Sequence, residues 1–253
     1  MKPIALFKSH YSVGKSILTL REKDESKSSE PTSIVDLVFK NEESLGKKVC
    51  LVEDNMSGFL EAHINLTKIG AELVFGLRIE VCPNIEEKNE ESIHKSSKYI
   101  IFIKRDEGYP RLIKLFSKGA KEGFYYKPRL DFETIRKEWD DDDLILAVPF
   151  YDSFLFNNCL RNGISLPNFD FTKPIFFSED NDLPFDELLN NRLKNFTSKS
   201  QIQKTKSIYY ENKSDFKAYL TSRCINNRST LNKPNLDHMC SNEFCFESWR
   251  DVQ

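Results

Sequence analysis

The stretch "KVCLVEDNMSGFLEAHINLTKIGAELVFGLRIEV", residues 48–81, decides the fold. It opens with the apolar run "KVCLV" and continues with a segment whose apolar side chains recur at helical spacing until Gly70. It closes with a second apolar run, "ELVFGLRIEV". These patterns predict a strand, a helix and another strand. Strands separated by helices are typical of a parallel sheet or barrel.

The same alternation continues on both sides of this stretch. A strand "IALF" and a helix that ends at Gly46 are predicted before it, with the polar run "REKDESKSSEPTS" between them. After it, we predict strands at 99–103, 144–150 and 173–177, and helices at 109–120 and 131–139. The chain is rich in Asn, Ser and Lys after Asp182. We therefore expect an α/β barrel over residues 1–182 and a C-terminal extension, residues 183–253, that completes or decorates it.

Composition limits the function classes. The chain has 253 residues, a formal net charge of −2 and six scattered cysteines. A charge this close to neutral gives no general attraction to nucleic acid, so any such contact needs a local patch. Because we see no signal peptide and no long uncharged apolar run, we expect a soluble chain in a reducing, cytoplasmic compartment, without a membrane partner.

The first predicted strand leads into "SHYSVGKS", residues 9–16, which is one residue short of a phosphate-binding loop. That loop needs G-x-x-x-x-G-K-[ST], and Ser9 stands where the first glycine should be. It must also lead directly into a helix, whereas the residues that follow are mostly polar and end in Pro31. The sequence therefore predicts a turn here and argues against a phosphate loop.

Four short motifs give a more specific indication. They are "KSHYS" at 8–12, "VEDNMSG" at 52–58, "EGY" at 107–109 and "GFYYKPR" at 123–129. In this order they resemble the PHP (polymerase and histidinol phosphatase) domain of bacterial DNA polymerase III alpha subunits, although this chain is divergent. The resemblance implies a distorted (βα)7 TIM-like barrel.

The resemblance also implies a metal-dependent phosphoesterase site, and there the sequence departs from the family. Such a site needs His and carboxylate ligands that converge at strand ends. Near the end of the barrel the pattern falls approximately on Ser178, Glu179 and Asn181. The other positions that match family ligands hold Ile4, Leu6, Lys8, Lys15, Val52, Glu53, Arg78 and Lys98.

Charge argues against metal at these positions. A Lys ammonium about 5 Å from a divalent cation is repelled by about 6 kcal/mol at an effective dielectric constant of about 20. We therefore expect a metal-free pocket that either binds an anion or pairs its cations with Glu53, Asp54 and Glu80. The residues assigned to this pocket are Lys8, His10, Lys15, Arg78 and Lys98.

Two metal hypotheses remain open. A relocated site would draw on His10, Glu53, Asp54, His63, Glu80 and Asp180, and only then would zinc, manganese or magnesium serve as a cofactor. In the tail, Cys224, His238, Cys240 and Cys245 are zinc-type ligands. Their irregular spacing, without a C-x-x-C pair, favours buried thiols instead.

The favoured functional hypothesis is a catalytically degenerate PHP-like module. It would bind or stabilise a split DNA polymerase III-type alpha subunit or another replication protein, in the cytoplasm of a bacterial cell or of one infected by phage. The alternatives are a metal-dependent phosphoesterase or 3′–5′ exonuclease with a rearranged site, and a barrel recruited as a non-enzymatic structural or host-interaction protein. Tyr125, Tyr126, Lys127 and Arg129 could bind single-stranded DNA, dock a partner or pack internally.

Overall fold

The structure is a computed structural model that describes residues 2–24, 26, 30–234 and 240–252. The chain forms two compact units, which are described separately. The first unit comprises Met1–Phe75, Glu179–Asp186 and Lys204–Gln253. The second unit comprises Gly76–Ser178 and Glu187–Gln203.

The secondary structure is mixed α/β, as predicted. The strands are β1 (Ile4–Phe7), β2 (Lys48–Glu53), β3 (Glu72–Val81), β4 (Ser97–Ile103), β5 (Arg129–Leu130), β6 (Leu144–Val148), β7 (Ile175–Ser178) and β8 (Ile202–Ile208). The α-helices are α1 (Ile34–Lys40), α2 (Glu42–Leu45), α3 (Phe59–Lys68), α4 (Glu90–His94), α5 (Gly108–Lys121), α6 (Phe132–Glu138), α7 (Phe154–Leu160), α8 (Asp186–Phe196), α9 (Phe216–Asn227) and α10 (Phe246–Asp251).

In the first unit, β1 lies between β2 and β8 and is parallel to both. Leu6 is opposite Cys50 of β2 and Ser207 of β8. Because β8 comes from the segment after residue 182, the predicted extension contributes a strand directly beside β1. Between β1 and α1 the described residues form turns and no helix, in agreement with the turn predicted after the first strand.

The helix predicted to end at Gly46 is divided in two. The chain leaves α1 at Asn41, whose side-chain Nδ2 donates a hydrogen bond to the Leu37 carbonyl at 2.8 Å. Asn competes in this way for backbone groups and is therefore a poor residue for a helix interior. The short helix α2 follows and ends at Gly46, which has a φ of 73°. The predicted end is right, but the continuous helix is wrong.

In the second unit the strand directions are mixed. β4 is antiparallel to both β3 and β6, while β6 pairs with β7 and β3 pairs with β5 in parallel. The sequence predicted only parallel neighbours. The difference arises because the charged segment between β3 and β4 contains only the short helix α4 and returns the chain antiparallel.

Aromatic side chains form much of the core of the second unit. Tyr99 on β4 is fully buried, and its ring meets that of Phe132 edge-on at 5.3 Å. Phe169 lies 6.1 Å from Tyr99 and 5.9 Å from Phe132. Edge-to-face packing of this kind holds α6 and the loop before β7 against the sheet.

Among the described residues, no helix is both long and apolar enough to span a membrane.

Candidate functional site

The first cluster of polar residues lies where β1 and β2 end. It comprises Lys8, Ser9, Ser12, Glu53 and Asp54. β1 ends at Phe7 and is followed by Lys8, Ser9 and the turn that contains Ser12, whereas β2 ends at Glu53 and is followed by Asp54. Because β1 and β2 are parallel neighbours, their carboxyl ends lie at the same edge of the sheet. Ser9 and Glu53, which are 44 positions apart in the sequence, therefore lie within hydrogen-bond distance of each other.

The Glu53 carboxylate fastens the turn to β2. One oxygen accepts a hydrogen bond from the backbone N–H of Ser9 at 2.8 Å, and the other accepts one from the Ser12 hydroxyl. Glu53 is completely buried. Burial raises its pKa above the ordinary value, while the charge on Lys8 and the bonds from Ser12 and Ser9 act in the opposite direction. Both carboxylate oxygens are thus used inside the protein.

Lys8 forms an ion pair with the other carboxylate of this cluster. Its Nζ lies 3.2 Å from Asp54 Oδ1, and only 4% of its side chain is exposed. The backbone N–H of Asp54 donates to Ser12 Oγ at 2.9 Å, which ties this residue to the same turn. From the sequence, Lys8 was assigned to the pocket and Asp54 was named as a carboxylate that could pair with its cations, and the structure brings the two together.

The other site residues that the sequence proposed in the first unit are exposed or half-buried. His10 is exposed and its ring packs on Tyr11 at 4.5 Å, while Lys15 is half-buried in the turn. His63 is exposed on α3. Asp180 is also exposed, and its carbonyl oxygen accepts a hydrogen bond from Lys206 Nζ at 2.8 Å.

The second cluster of polar residues lies in the second unit, around β3 and β4. Arg78 and Glu80 alternate along β3 and therefore lie on the same face of the sheet. Lys98 of β4 is directly opposite Glu80 in the antiparallel register. The cluster comprises Arg78, Glu80, Lys98, Lys127, Asp152 and Arg161.

Glu80 is shared between two lysines. Its Oε2 lies 3.4 Å from Lys98 Nζ and 3.0 Å from Lys127 Nζ, and the residue is only 7% exposed. The pairing of Lys98 with Glu80 follows from the cross-strand register. Lys127 belongs to the motif at 123–129, so one end of that motif is connected to the cluster.

Arg78 binds a carboxylate that sequence reasoning missed. Its Nη2 donates to the Tyr151 carbonyl at 3.0 Å and to Asp152 Oδ2 at 3.2 Å. Arg161 Nη2 lies 3.5 Å from the other oxygen of Asp152. Asp152 follows the strand β6 and precedes Ser153, the N-cap of α7. The sequence signal that could have identified Asp152 is its position, as an acidic residue in the loop between a strand and the N-cap of a helix.

Arg129 is buried, which favours internal packing among the three roles that the sequence left open for it. Only 1% of the residue is exposed. Its guanidinium donates to Ser92 Oγ at 2.8 Å, to the Glu87 carbonyl at 3.1 Å and to the Gly123 carbonyl at 3.2 Å. These bonds use all three guanidinium nitrogens, so Arg129 holds the surrounding loops together.

Tyr126, in contrast, points into solvent. It is 81% exposed and adopts a left-handed backbone with a φ of 59°. The backbone N–H of Tyr125 donates to the Lys127 carbonyl at 3.1 Å, which fixes the turn that carries Tyr126. The Tyr125 ring lies 5.1 Å from the Arg129 guanidinium carbon. A bulky residue in this conformation is strained, and the strain persists only because the surroundings impose it.

The described part of the chain contains no group of three or more His, Cys, Asp or Glu side chains that could hold a metal ion. In the tail, Cys240 is exposed, whereas Cys224 and Cys245 are buried. Cys245 Sγ lies 3.1 Å from Ser248 Oγ, at the start of α10. His238, the remaining residue of the proposed tail site, lies outside the described residues.

Comparison with known proteins identifies the family. The sequence profile of the PHP domain matches residues 30–163, more than half of the chain. The chain therefore belongs to the PHP domain family. Its order of strands and helices is that of the PHP TIM-like barrel fold. Both the resemblance and the fold class predicted from the sequence are confirmed.

Similar curated proteins are DNA polymerase III alpha subunits. The chain is 28% identical over 157 residues to "DNA polymerase III subunit alpha" of Aquifex aeolicus (strain VF5), which covers 57% of this chain and 13% of that protein. It is 24% identical over 193 residues to the protein of the same name from Thermus aquaticus, which covers 71% of this chain and 16% of that protein. The chain is thus homologous to only a small part of these much longer subunits.

Proposed function

We propose that this chain is a catalytically inactive PHP module that binds and stabilises a DNA polymerase III-type subunit. The observation that carries the proposal is Arg78. Its side chain is only 9% exposed, and it binds Asp152 at the strand position where the resemblance implies a carboxylate ligand. A buried guanidinium repels a divalent cation and is permanently charged, so deprotonation cannot turn it into a ligand.

The first cluster supports the same proposal. Both Glu53 oxygens accept hydrogen bonds from the turn after β1, so this buried carboxylate is directed at the protein's own backbone and hydroxyl donors. Lys8 places an ammonium next to Asp54, the other carboxylate of that cluster. Polar residues that fasten loops to strand ends suit a stabilising role, whereas a phosphoesterase needs several ligands directed toward one ion.

The relatives suggest the kind of partner. The matched proteins are named as alpha subunits of DNA polymerase III, and this chain spans about one tenth to one sixth of their length. An inactive module of a replicative polymerase acts through contact with the other parts of that enzyme. We therefore infer that the partner is a polymerase subunit.

Two experiments test the two parts of this proposal separately. For activity, the purified protein is incubated with labelled single-stranded DNA, or with a chromogenic phosphate monoester, in the presence of Mn²⁺, Zn²⁺ or Mg²⁺. We expect no metal-dependent hydrolysis. Hydrolysis that disappears in both Glu53→Gln and Glu80→Gln variants would instead establish a rearranged catalytic site.

For the partner, the affinity-tagged chain is purified from its native host and the bound proteins are identified by mass spectrometry. We expect a polymerase subunit in stoichiometric amount that resists a salt wash. Recovery of the chain alone, or with proteins unrelated to replication, would contradict the binding role without affecting the conclusion on activity.

A second candidate function is supported by Tyr126. Its ring is exposed beside Lys127, and exposed aromatic rings next to cations are the usual elements of single-stranded nucleic-acid binding. The buried Arg129 donates a hydrogen bond to the Gly123 carbonyl and so holds this loop in place. Because the loop is already ordered, binding through the Tyr126 ring would cost little conformational entropy. Single-stranded DNA would then be a ligand of the module without being its substrate.

A further inference from the structure

The first unit contains a cavity of about 340 Å³ at the beginning of β1. Strands β1 and β2 contribute Ile4 and Val49 to its lining, α2 contributes Leu45, and α10 contributes Trp249. Lys8 follows the other end of β1, whereas Lys2, which also lines the cavity, precedes this strand. The cavity is therefore separate from the first polar cluster and goes beyond the proposed function.

The walls of the cavity are held in place by specific contacts. Trp249 Nε1 donates a hydrogen bond to the Pro3 carbonyl at 2.8 Å, and its ring stacks on Phe246 at 5.3 Å. Phe246 in turn stacks on Phe7 of β1 at 6.3 Å. The space is thus formed before any ligand arrives, which lowers the cost of binding.

The lining combines an apolar surface with two cations. Lys2 Nζ lies 4.0 Å from the centre of the Trp249 ring and donates a hydrogen bond to the Arg250 carbonyl at 3.4 Å, and no carboxylate of the described residues pairs with it. Lys48 pairs with Glu72 at 3.1 Å, but both side chains are more than half exposed, so this pair is weak. Lys48 is therefore able to turn toward a ligand. Among the described residues, the lining contains no Asp or Glu.

This combination selects the chemistry of the occupant. If each non-hydrogen atom takes about 30 Å³, the volume of one water in the liquid, the cavity has room for about eleven such atoms, close to the size of a ten-carbon carboxylate. Such a space is too small for a helix and suits a single small molecule. An apolar body would lie against Ile4, Val49 and Trp249, and a negative group would lie near Lys2 and Lys48. We propose that the cavity binds a small amphipathic carboxylate, with a medium-chain fatty acid as the simplest example.

Tryptophan fluorescence gives a direct test with decanoate as the probe. The chain has two tryptophans, so Trp139→Phe leaves Trp249 as the reporter. We expect a saturable change in emission below the micelle concentration, and affinity lower by about fivefold or more in the Lys2→Ala, Lys48→Ala double variant. Decanol, which lacks the charge, should bind more weakly by a similar factor. Equal affinity for decanol and decanoate, or no effect of the double variant, would overturn the proposal.

Thiol labelling gives an independent readout with the unmodified chain. Cys50 lines the cavity and is partly exposed, whereas the partly exposed Cys159 lies in the second unit. Decanoate should slow the alkylation of Cys50 about tenfold or more, if the site is mostly occupied, and leave Cys159 unchanged. Unchanged alkylation of Cys50 at saturating decanoate would contradict the assigned site. Protection of Cys50 that depends only on protein concentration would mean that a second copy covers the cavity.

A blocking variant completes the test. Ser44 is exposed and lines the cavity, so Ser44→Phe should fold and should abolish the decanoate response. Ser57, which is also exposed but does not line the cavity, provides the matched control Ser57→Phe. Binding that survives Ser44→Phe would place the ligand elsewhere. None of these results depends on a polymerase partner, so failure here leaves the proposed function standing.

Discussion

The carboxylate of Glu53 and the backbone N–H of Ser9 lie 2.8 Å apart, although 44 residues separate them in the sequence. This hydrogen bond, together with that from Ser12, fastens the turn after β1 to the end of β2. A residue at a position where the family resemblance implies a metal ligand therefore has an internal structural contact. The consequence is that stability, rather than catalysis, should respond first to changes at this position.

The raised pKa of Glu53 leads to a pH prediction. Because its pKa is higher in the folded than in the unfolded protein, the folded protein binds this proton more readily. The stability contributed by that proton is fully present below the unfolded-state pKa and is lost as pH rises through the folded-state pKa. As pH rises from the unfolded-state pKa through the folded-state pKa, the free energy of unfolding of the wild type should therefore fall relative to Glu53→Gln.

Urea unfolding of both proteins across this pH range measures the effect. Glu61→Gln serves as a control, because Glu61 is a less buried carboxylate in the same unit and its pKa is lowered. The difference between wild type and this control should have the opposite pH dependence. Parallel stability curves for wild type and Glu53→Gln would show that burial does not raise the pKa of Glu53.

Arg129 should be a determinant of stability. Replacement by Met keeps the length of the side chain but leaves the Ser92 hydroxyl and the Glu87 and Gly123 carbonyls without their donor. We expect Arg129→Met to lower the free energy of unfolding by about 3 kcal/mol. Tyr126→Ala, in the same loop but at an exposed position, should change it by less than about 0.5 kcal/mol. Equal effects in thermal or denaturant unfolding would refute the structural role given to Arg129.

The sequence was sufficient for the family and for part of the first cluster. The motif "KSHYS" placed Lys8 at the end of β1, and local spacing brought Asp54 to the end of the neighbouring strand. It was not sufficient for contacts that depend on how distant segments meet. Asp152 reaches Arg78 across 74 residues, and this depends on the antiparallel path of β4, which the alternation of strands and helices did not reveal.

The sequence left the burial of Arg129 undecided for a related reason. The motif "GFYYKPR" combines three aromatic residues with two basic ones, and this composition is the same for a surface loop and for a loop anchored inside. Burial is decided by Gly123, where an added Cβ would lie 2.0 Å from the Arg129 carbonyl, and by the α4 segment that supplies Ser92. Neither contact has a local sequence signature.

The Arg78–Asp152 pair can be tested with a double-mutant cycle. The variants are Arg78→Met, Asp152→Asn and the combination of both. Since the guanidinium is mostly buried and hydrogen-bonded to the carboxylate, we expect a coupling energy of about 1 kcal/mol or more in denaturant unfolding. The exposed pair of Lys48 and Glu72 is the control and should couple by less than about 0.5 kcal/mol. Similar coupling in both cycles would remove the reason for assigning Arg78 a structural role.

Single-stranded DNA binding is the last expectation and depends on Tyr126 and Lys127. If a base stacks on the exposed Tyr126 ring, Tyr126→Ala should weaken binding by about tenfold, because one stacking contact contributes about 1–3 kcal/mol. If Lys127 contacts one phosphate, Lys127→Ala should reduce the slope of log affinity against log salt by about 0.7. Fluorescence anisotropy with a labelled oligonucleotide at several salt concentrations measures both.

Phe39→Ala removes an aromatic ring that is 67% exposed in the first unit and should leave binding unchanged. Loss of affinity in all three variants would indicate nonspecific adsorption, whereas full affinity in Tyr126→Ala would leave this ring free to dock a protein partner.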